Sequence, residues 1–68
     1  MNATVNGEPR ELPAGATVAN VLELLDVAAD ARGVAVAVDG EVVSRSRWGE
    51  TALRDGAAIE VLAAIGGG

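Results

Sequence analysis

Three glycines at the end of this chain have the placement to do chemistry: Gly66, Gly67 and Gly68 follow directly on an apolar run that reaches Ile65. Fully extended, three residues reach roughly 10 Å at ~3.3–3.6 Å each. They carry no side chains, so they can enter a channel too narrow for any other residue. Glycine also adopts whatever backbone angles such a channel imposes. The α-carboxylate of Gly68 is then the group presented for reaction. A carboxylate is inert towards nucleophiles until it is activated, for example as an acyl-adenylate. Once activated it can accept sulfur and become a thiocarboxylate, a protein-bound sulfide donor. A frayed end or an expression scar has the same composition; the position of this run at the end of a sheet-closing strand pattern sets it apart.

The rest of the inventory excludes most other chemistry. The chain has no cysteine and no histidine, so it offers no thiol nucleophile, no Ser-His-type triad and no usual general base near neutrality. A disulfide framework and a Cys/His zinc site are excluded with them. All five cations are arginine, which rules out Schiff-base chemistry and a P-loop lysine. The ten carboxylates are spread singly over turns and strand exteriors, as solvated surface is. A chain of 68 residues also has little volume for a ligand cleft of ~300–1,000 Å³. The expectation is a protein that is not an enzyme, binds no cofactor and holds no metal.

Charge and hydropathy narrow the class further. A net charge of −5 argues against nucleic acid, because phosphate binding needs a basic stripe; it suits solubility or a partner with a basic face. No segment approaches the ~20 apolar residues of a membrane span, and no basic leader with an apolar run opens the chain. The expected location is the cytoplasm and the expected state a monomer. Half of the residues are hydrophobic, so the fold rests on aliphatic packing. A core of this size supplies no more than about 3–5 kcal/mol of net stability.

The elements that must carry the terminus are legible in outline. Met1 to Val5 alternates with period two and reads as a half-buried strand. Asn6-Gly7 is a hairpin signal, and Arg10 to Leu12 reads as the return strand, with Leu12 facing inward. Thr17 is a good N-cap for a helix of about two turns bearing the stripe Val18, Val21, Leu22, Leu25, with Asn20 and Glu23 on its far side. Asp26 to Gly33 is a connection whose alanines could add another helical turn. Val34 to Val38 alternates valine with alanine, Asp39-Gly40 is a second hairpin signal, and Glu41 to Val43 is its short partner. Ser44 to Leu53 has neither period. Arg54-Asp55-Gly56 turns the chain into a last strand over Ala58 to Ile65, with Ile59, Val61 and Ala63 on one face and Glu60, Leu62 and Ala64 on the other.

A hairpin, a helix, a second hairpin and a final strand make an α+β two-layer domain. A mixed sheet of about five strands wraps one main helix, with the first and last strands parallel at its centre. This is the β-grasp arrangement, expected over residues 1–65, with 66–68 as a flexible C-terminal glycine tail. Trp48, the lone aromatic, either covers one end of the small core or anchors an interface. Arg45 and Arg47 read by default as solvated surface, with an acidic partner or helix carbonyls as other uses. The sheet face away from the helix, bearing Leu62, Ala64 and Ala37 together with Val42 or Val43, is the expected docking surface for partners.

Over its full length the sequence resembles the bacterial ThiS family, ubiquitin-like sulfur carriers of thiamin thiazole biosynthesis. The resemblance rests on the opening strand with Asn6-Gly7, on Pro13-Ala14-Gly15-Ala16-Thr17-Val18, and on the stretch Gly33 to Val43. The Arg45…Trp48 segment, Leu53-Arg54-Asp55-Gly56 and the terminal glycines complete it. It departs in two places: Ala57 stands where an acidic residue usually follows the Asp-Gly turn, and three glycines stand where two suffice, so Gly66 can be a spacer. The resemblance implies that a ThiF-like adenylyltransferase, using ATP and magnesium, activates Gly68. A persulfide donor supplies sulfur, and the thiocarboxylate passes it to a ThiG-like thiazole synthase. Two alternatives stay open. One is sulfur carriage to another acceptor, such as molybdopterin (MoaD-like, though that family is usually longer and lacks the compact Arg…Trp stretch) or an amino-acid precursor. The other is a ubiquitin-like binding or conjugating module.

Overall fold

The computed structural model describes residues 1–28 and 30–63. Among these the element order is β1 (Asn2–Val5), β2 (Glu8–Glu11), α1 (Val18–Leu24), β3 (Val34–Val38), β4 (Glu41–Val43), a 3₁₀ turn (Arg45–Arg47) and β5 (Ala57–Ala63). The strands form one mixed sheet in the order β2-β1-β5-β3-β4. β1 and β5 run parallel at its middle, while the β1–β2, β3–β4 and β3–β5 pairs are antiparallel. The β-grasp arrangement read from the element order is the one observed. Ala64, Ile65 and the tail residues Gly66, Gly67 and Gly68 lie outside the described residues, and so does Ala29.

Both hairpins turn on two residues with positive φ: Asn6 (52°) and Gly7 (82°), then Asp39 (51°) and Gly40 (85°). That pair of left-handed angles belongs to the type I′ turn, whose twist matches that of the flanking strands. A Cβ at Gly7 or Gly40 would meet nothing within 4 Å, so the glycine requirement there comes from the backbone angle and not from crowding. Because the first loop is only two residues long, the return strand begins at Glu8 opposite Val5, not at Arg10. Pro9 does not delay it: β2 lies at the edge of the sheet, where a missing N–H leaves no neighbour unpaired.

The helix is short and strongly capped. Thr17 Oγ1 accepts from the Asn20 amide at 3.3 Å, and Asn20 Oδ1 accepts from the Thr17 amide at 2.9 Å. This reciprocal box satisfies two N-terminal donors at once, with Asn20 in the place that Glu or Gln usually takes. Leu25 is the C-cap and not a helical residue, and the alanine-rich stretch after it adds no helix among the described residues. An isolated seven-residue helix would be marginal in water. Here Val18, Val21 and Leu22 are buried against the inner face of the sheet, where Ala3, Val5, Val36, Ile59 and Val61 complete the core with Leu12 and Trp48.

The segment that showed no period in sequence is held by tertiary contacts instead. Trp48 is 4% exposed, and its Nε1 donates to the Val43 carbonyl at 3.0 Å. The Ala19 amide donates to the Trp48 carbonyl and the Leu53 amide to the Ala16 carbonyl, stitching the segment to the start of α1. Arg45 is exposed, as the solvated-surface expectation has it, and it also makes two contacts. Its guanidinium carbon lies 4.6 Å from the Trp48 ring centroid and its Nη2 donates to the Ala31 carbonyl. A planar, weakly hydrated guanidinium stacks on an indole at little desolvation cost. Arg47 stays exposed, 3.8 Å from Glu50.

Candidate functional site: the outer face and exit of the central strand

β5 is the strand that leads to the glycine run, and it sits between β1 and β3. Strand alternation divides its side chains. Ala57, Ile59 and Val61 are buried against α1, while Ala58, Glu60 and Leu62 are exposed on the other face. Ala63 has inward parity but is exposed. It pairs with Val34, itself only half-buried, at the margin of the core.

On the outer face the ladder sets Ala35 beside Leu62 and Ala37 beside Glu60, and Val42 lies across from Ala37 on the other side. Leu62 is 72% exposed and Val42 80%, while Ala37 is half-buried between its taller neighbours. The geometry therefore brings together three of the four residues expected on a docking face, and the fourth, Ala64, lies outside the described residues. Between Val42 and Val43 the register decides. Val43 opposes Val36, so it points inward and packs partly on the core.

Leu62, Val42, Ala35, Ala37, Glu60 and Asn6 line a shallow depression of about 180 Å³. That is smaller than the ~300 Å³ lower end of ligand pockets and suits a protruding side chain of another protein. Leu24, the other large exposed apolar residue among the described residues, stands alone on α1, as scattered surface residues commonly do. Among the described residues no cluster of three or more acidic side chains is placed to hold a metal. No helix there is long and apolar enough to cross a membrane.

Two polar residues grip β5, and the sequence reading assigned neither side chain a role. Asp39 donates its amide to the Ala58 carbonyl at 2.8 Å, and its Oδ1 accepts from the Ala58 amide at 2.9 Å. On the opposite edge, the Asn6 amide donates to the Ile59 carbonyl at 2.8 Å. Its Oδ1 accepts from the Val61 amide at 2.8 Å and its Nδ2 donates to the Val61 carbonyl at 3.2 Å. Each is the first residue of a hairpin turn. The available signal was their choice for a positive-φ position: Asn and Asp tolerate it and carry a short polar side chain.

The ThiS family model matches residues 3–68. The chain belongs to the ThiS family. Among solved structures, this ThiS chain is similar to the crystal structure of the thiamine biosynthesis protein ThiS from Geobacter metallireducens. The two share 40% identity and a TM-score of 0.80, with both chains covered in full. A solution structure of a thiamine biosynthesis protein from the same organism matches with 40% identity and a TM-score of 0.78, covering the whole of this chain and 88% of that one. The chain is also 41% identical, over all 68 of its residues, to a thiazole synthase of Paramagnetospirillum magneticum. It spans about a fifth (20%) of that relative's length.

Proposed function

We propose that this ThiS chain is a sulfur carrier, a protein co-substrate and not itself a catalyst, whose reactive group is the α-carboxylate of Gly68. A ThiF-like adenylyltransferase using ATP and magnesium converts that carboxylate to an acyl-adenylate. The outer sulfur of a persulfide donor then displaces AMP to form an acyl disulfide, and a thiol acting as two-electron reductant cleaves its S–S bond to leave the thiocarboxylate and the donor's thiol. A ThiG-like thiazole synthase takes the sulfur from it. Membership of the family over residues 3–68, a match that includes all three glycines, carries this reading. The presence of a segment like this chain in a protein named thiazole synthase favours a thiazole synthase as acceptor. The outer sheet face with Leu62, Ala37 and Val42 is the docking surface in this scheme: it is largely apolar, Leu62 and Val42 are exposed, and Leu62 lies on the strand that leads to the tail.

Intact-mass measurement tests the class directly. Incubated with an adenylating partner, ATP, magnesium, a persulfide donor and a thiol reductant, the protein gains the mass difference of one sulfur for one oxygen, and a variant lacking Gly68 gains nothing. Equal gain in the truncated variant refutes the assignment of Gly68.

A further inference from the structure

The β1–β5 ladder ends at Val5 opposite Ile59, and the chain then turns away at Asn6-Gly7. The inward-facing edge of β5 would lose its partner from there on. Instead the Asn6 carboxamide takes the place of the next β1 residue. It accepts from the Val61 N–H and donates to the Val61 carbonyl, across 55 positions of sequence. A primary amide holds one acceptor and one donor side by side, as a backbone peptide group presents them to a neighbouring strand. The carboxamide thus adds one rung to the ladder where the backbone has left it. β3 secures the other edge of β5 as far as Ala63, so Val61 is held from both sides.

From this geometry, and resting on the sulfur-carrier reading above, we infer that Asn6 is a positioning residue for the terminus: it fixes the direction in which β5 leaves the sheet. With that rung gone, β5 is held beyond Ile59 by β3 alone, and its end can tilt or fray at the point from which the chain runs on to Gly68. Displacement of reacting groups by ~1 Å can already cost on the order of a hundredfold in rate. A partner that receives the outer face and the terminus together therefore needs the angle between them set in advance, and Asn6 sets it from beside the docking depression that it also lines.

Asn6→Gly isolates the side chain, because glycine keeps the positive-φ turn. Thiocarboxylate formation by an adenylating partner, ATP, a persulfide donor and a thiol reductant is followed by intact mass as a function of carrier concentration, giving kcat and KM. Asn6→Gly is expected to lower kcat about tenfold because the terminus is misdirected, while the loss of one side chain from the rim of the docking depression raises KM by about threefold at most. Amide hydrogen exchange on the carrier alone is expected to speed up at Val61. Thr17→Ala, which removes a helix cap far from this edge, serves as the destabilised control and is expected to keep wild-type kcat. Wild-type kcat in Asn6→Gly, unchanged exchange at Val61, or an equal fall in kcat for Thr17→Ala overturns the inference. A wild-type protein that gains no sulfur overturns the carrier reading itself, and the inference with it.

Discussion

The two hairpin turns of this protein share a backbone and differ in what their first residue does for the central strand. Asn6-Gly7 and Asp39-Gly40 have nearly the same φ values, and both lean on β5, from opposite edges. Asp39 meets the strand near its start, at Ala58, with a backbone donor and a side-chain acceptor. Asn6 meets it near its end, at Val61, with a side-chain acceptor and a side-chain donor. An aspartate satisfies the first site because only an acceptor is needed there. The second site needs a donor as well, which a carboxylate lacks. Residues that look interchangeable as turn formers are therefore not interchangeable as strand partners.

The harshest way to break the comparison is to remove the strand that both turns hold. Ile59 is among the largest fully buried side chains, and Ile59→Ala is expected to cost about 2–5 kcal/mol. Urea unfolding reads this as a large drop in the midpoint, and a loss under about 1 kcal/mol would show that the inner face of β5 is not the centre of the core. The two glycines come next. Gly7→Ala and Gly40→Ala each force a side chain into the left-handed region, at about 1–2 kcal/mol. Since neither position is crowded, the two losses should match within experimental error. Unequal losses would mean that something other than φ decides.

The swap of turn residues sharpens the contrast. Asn6→Asp removes the donor to Val61 and sets a carboxylate beside its carbonyl, so about 1 kcal/mol should be lost. Asp39→Asn keeps an acceptor for the Ala58 amide and should change stability by less than about 0.5 kcal/mol. Equal melting temperatures for the two variants would erase the distinction. The smallest effect on the fold is expected at Leu62. Leu62→Asp should leave stability within about 0.5 kcal/mol, because the side chain is exposed, while weakening capture by an adenylating partner in a titration. Unimpaired binding by that variant would remove Leu62 from the docking face.

Much of the architecture was legible because local and tertiary preferences agree. The alternation of Val34 to Val38, the two turn dipeptides and the helical stripe after Thr17 each specify a local conformation. Parity along a strand then assigns faces: Leu62 and Glu60 outward, Ile59 and Val61 inward. The register of β3 with β4 lay beyond parity on a three-residue strand, so Val42 and Val43 were separable only in the structure. Arg45 is exposed, as expected, but its contacts were not read from the sequence: the Trp48 ring lies three positions on in an aperiodic segment, and the Ala31 carbonyl comes from a distant connection.

By itself the sequence determined the α+β element order, the two type I′ turns and the faces of the longer strands. These follow from backbone sterics and hydrophobic period, both of which act over a few residues. The structure alone showed that Asn20 completes the helix cap, that Arg45 covers Trp48, and that Asn6 reaches Val61. The first two join residues three apart, in geometries that hydrophobic period does not report. Asn6 and Val61 lie 55 positions apart, and they meet only after the sheet has closed around the helix.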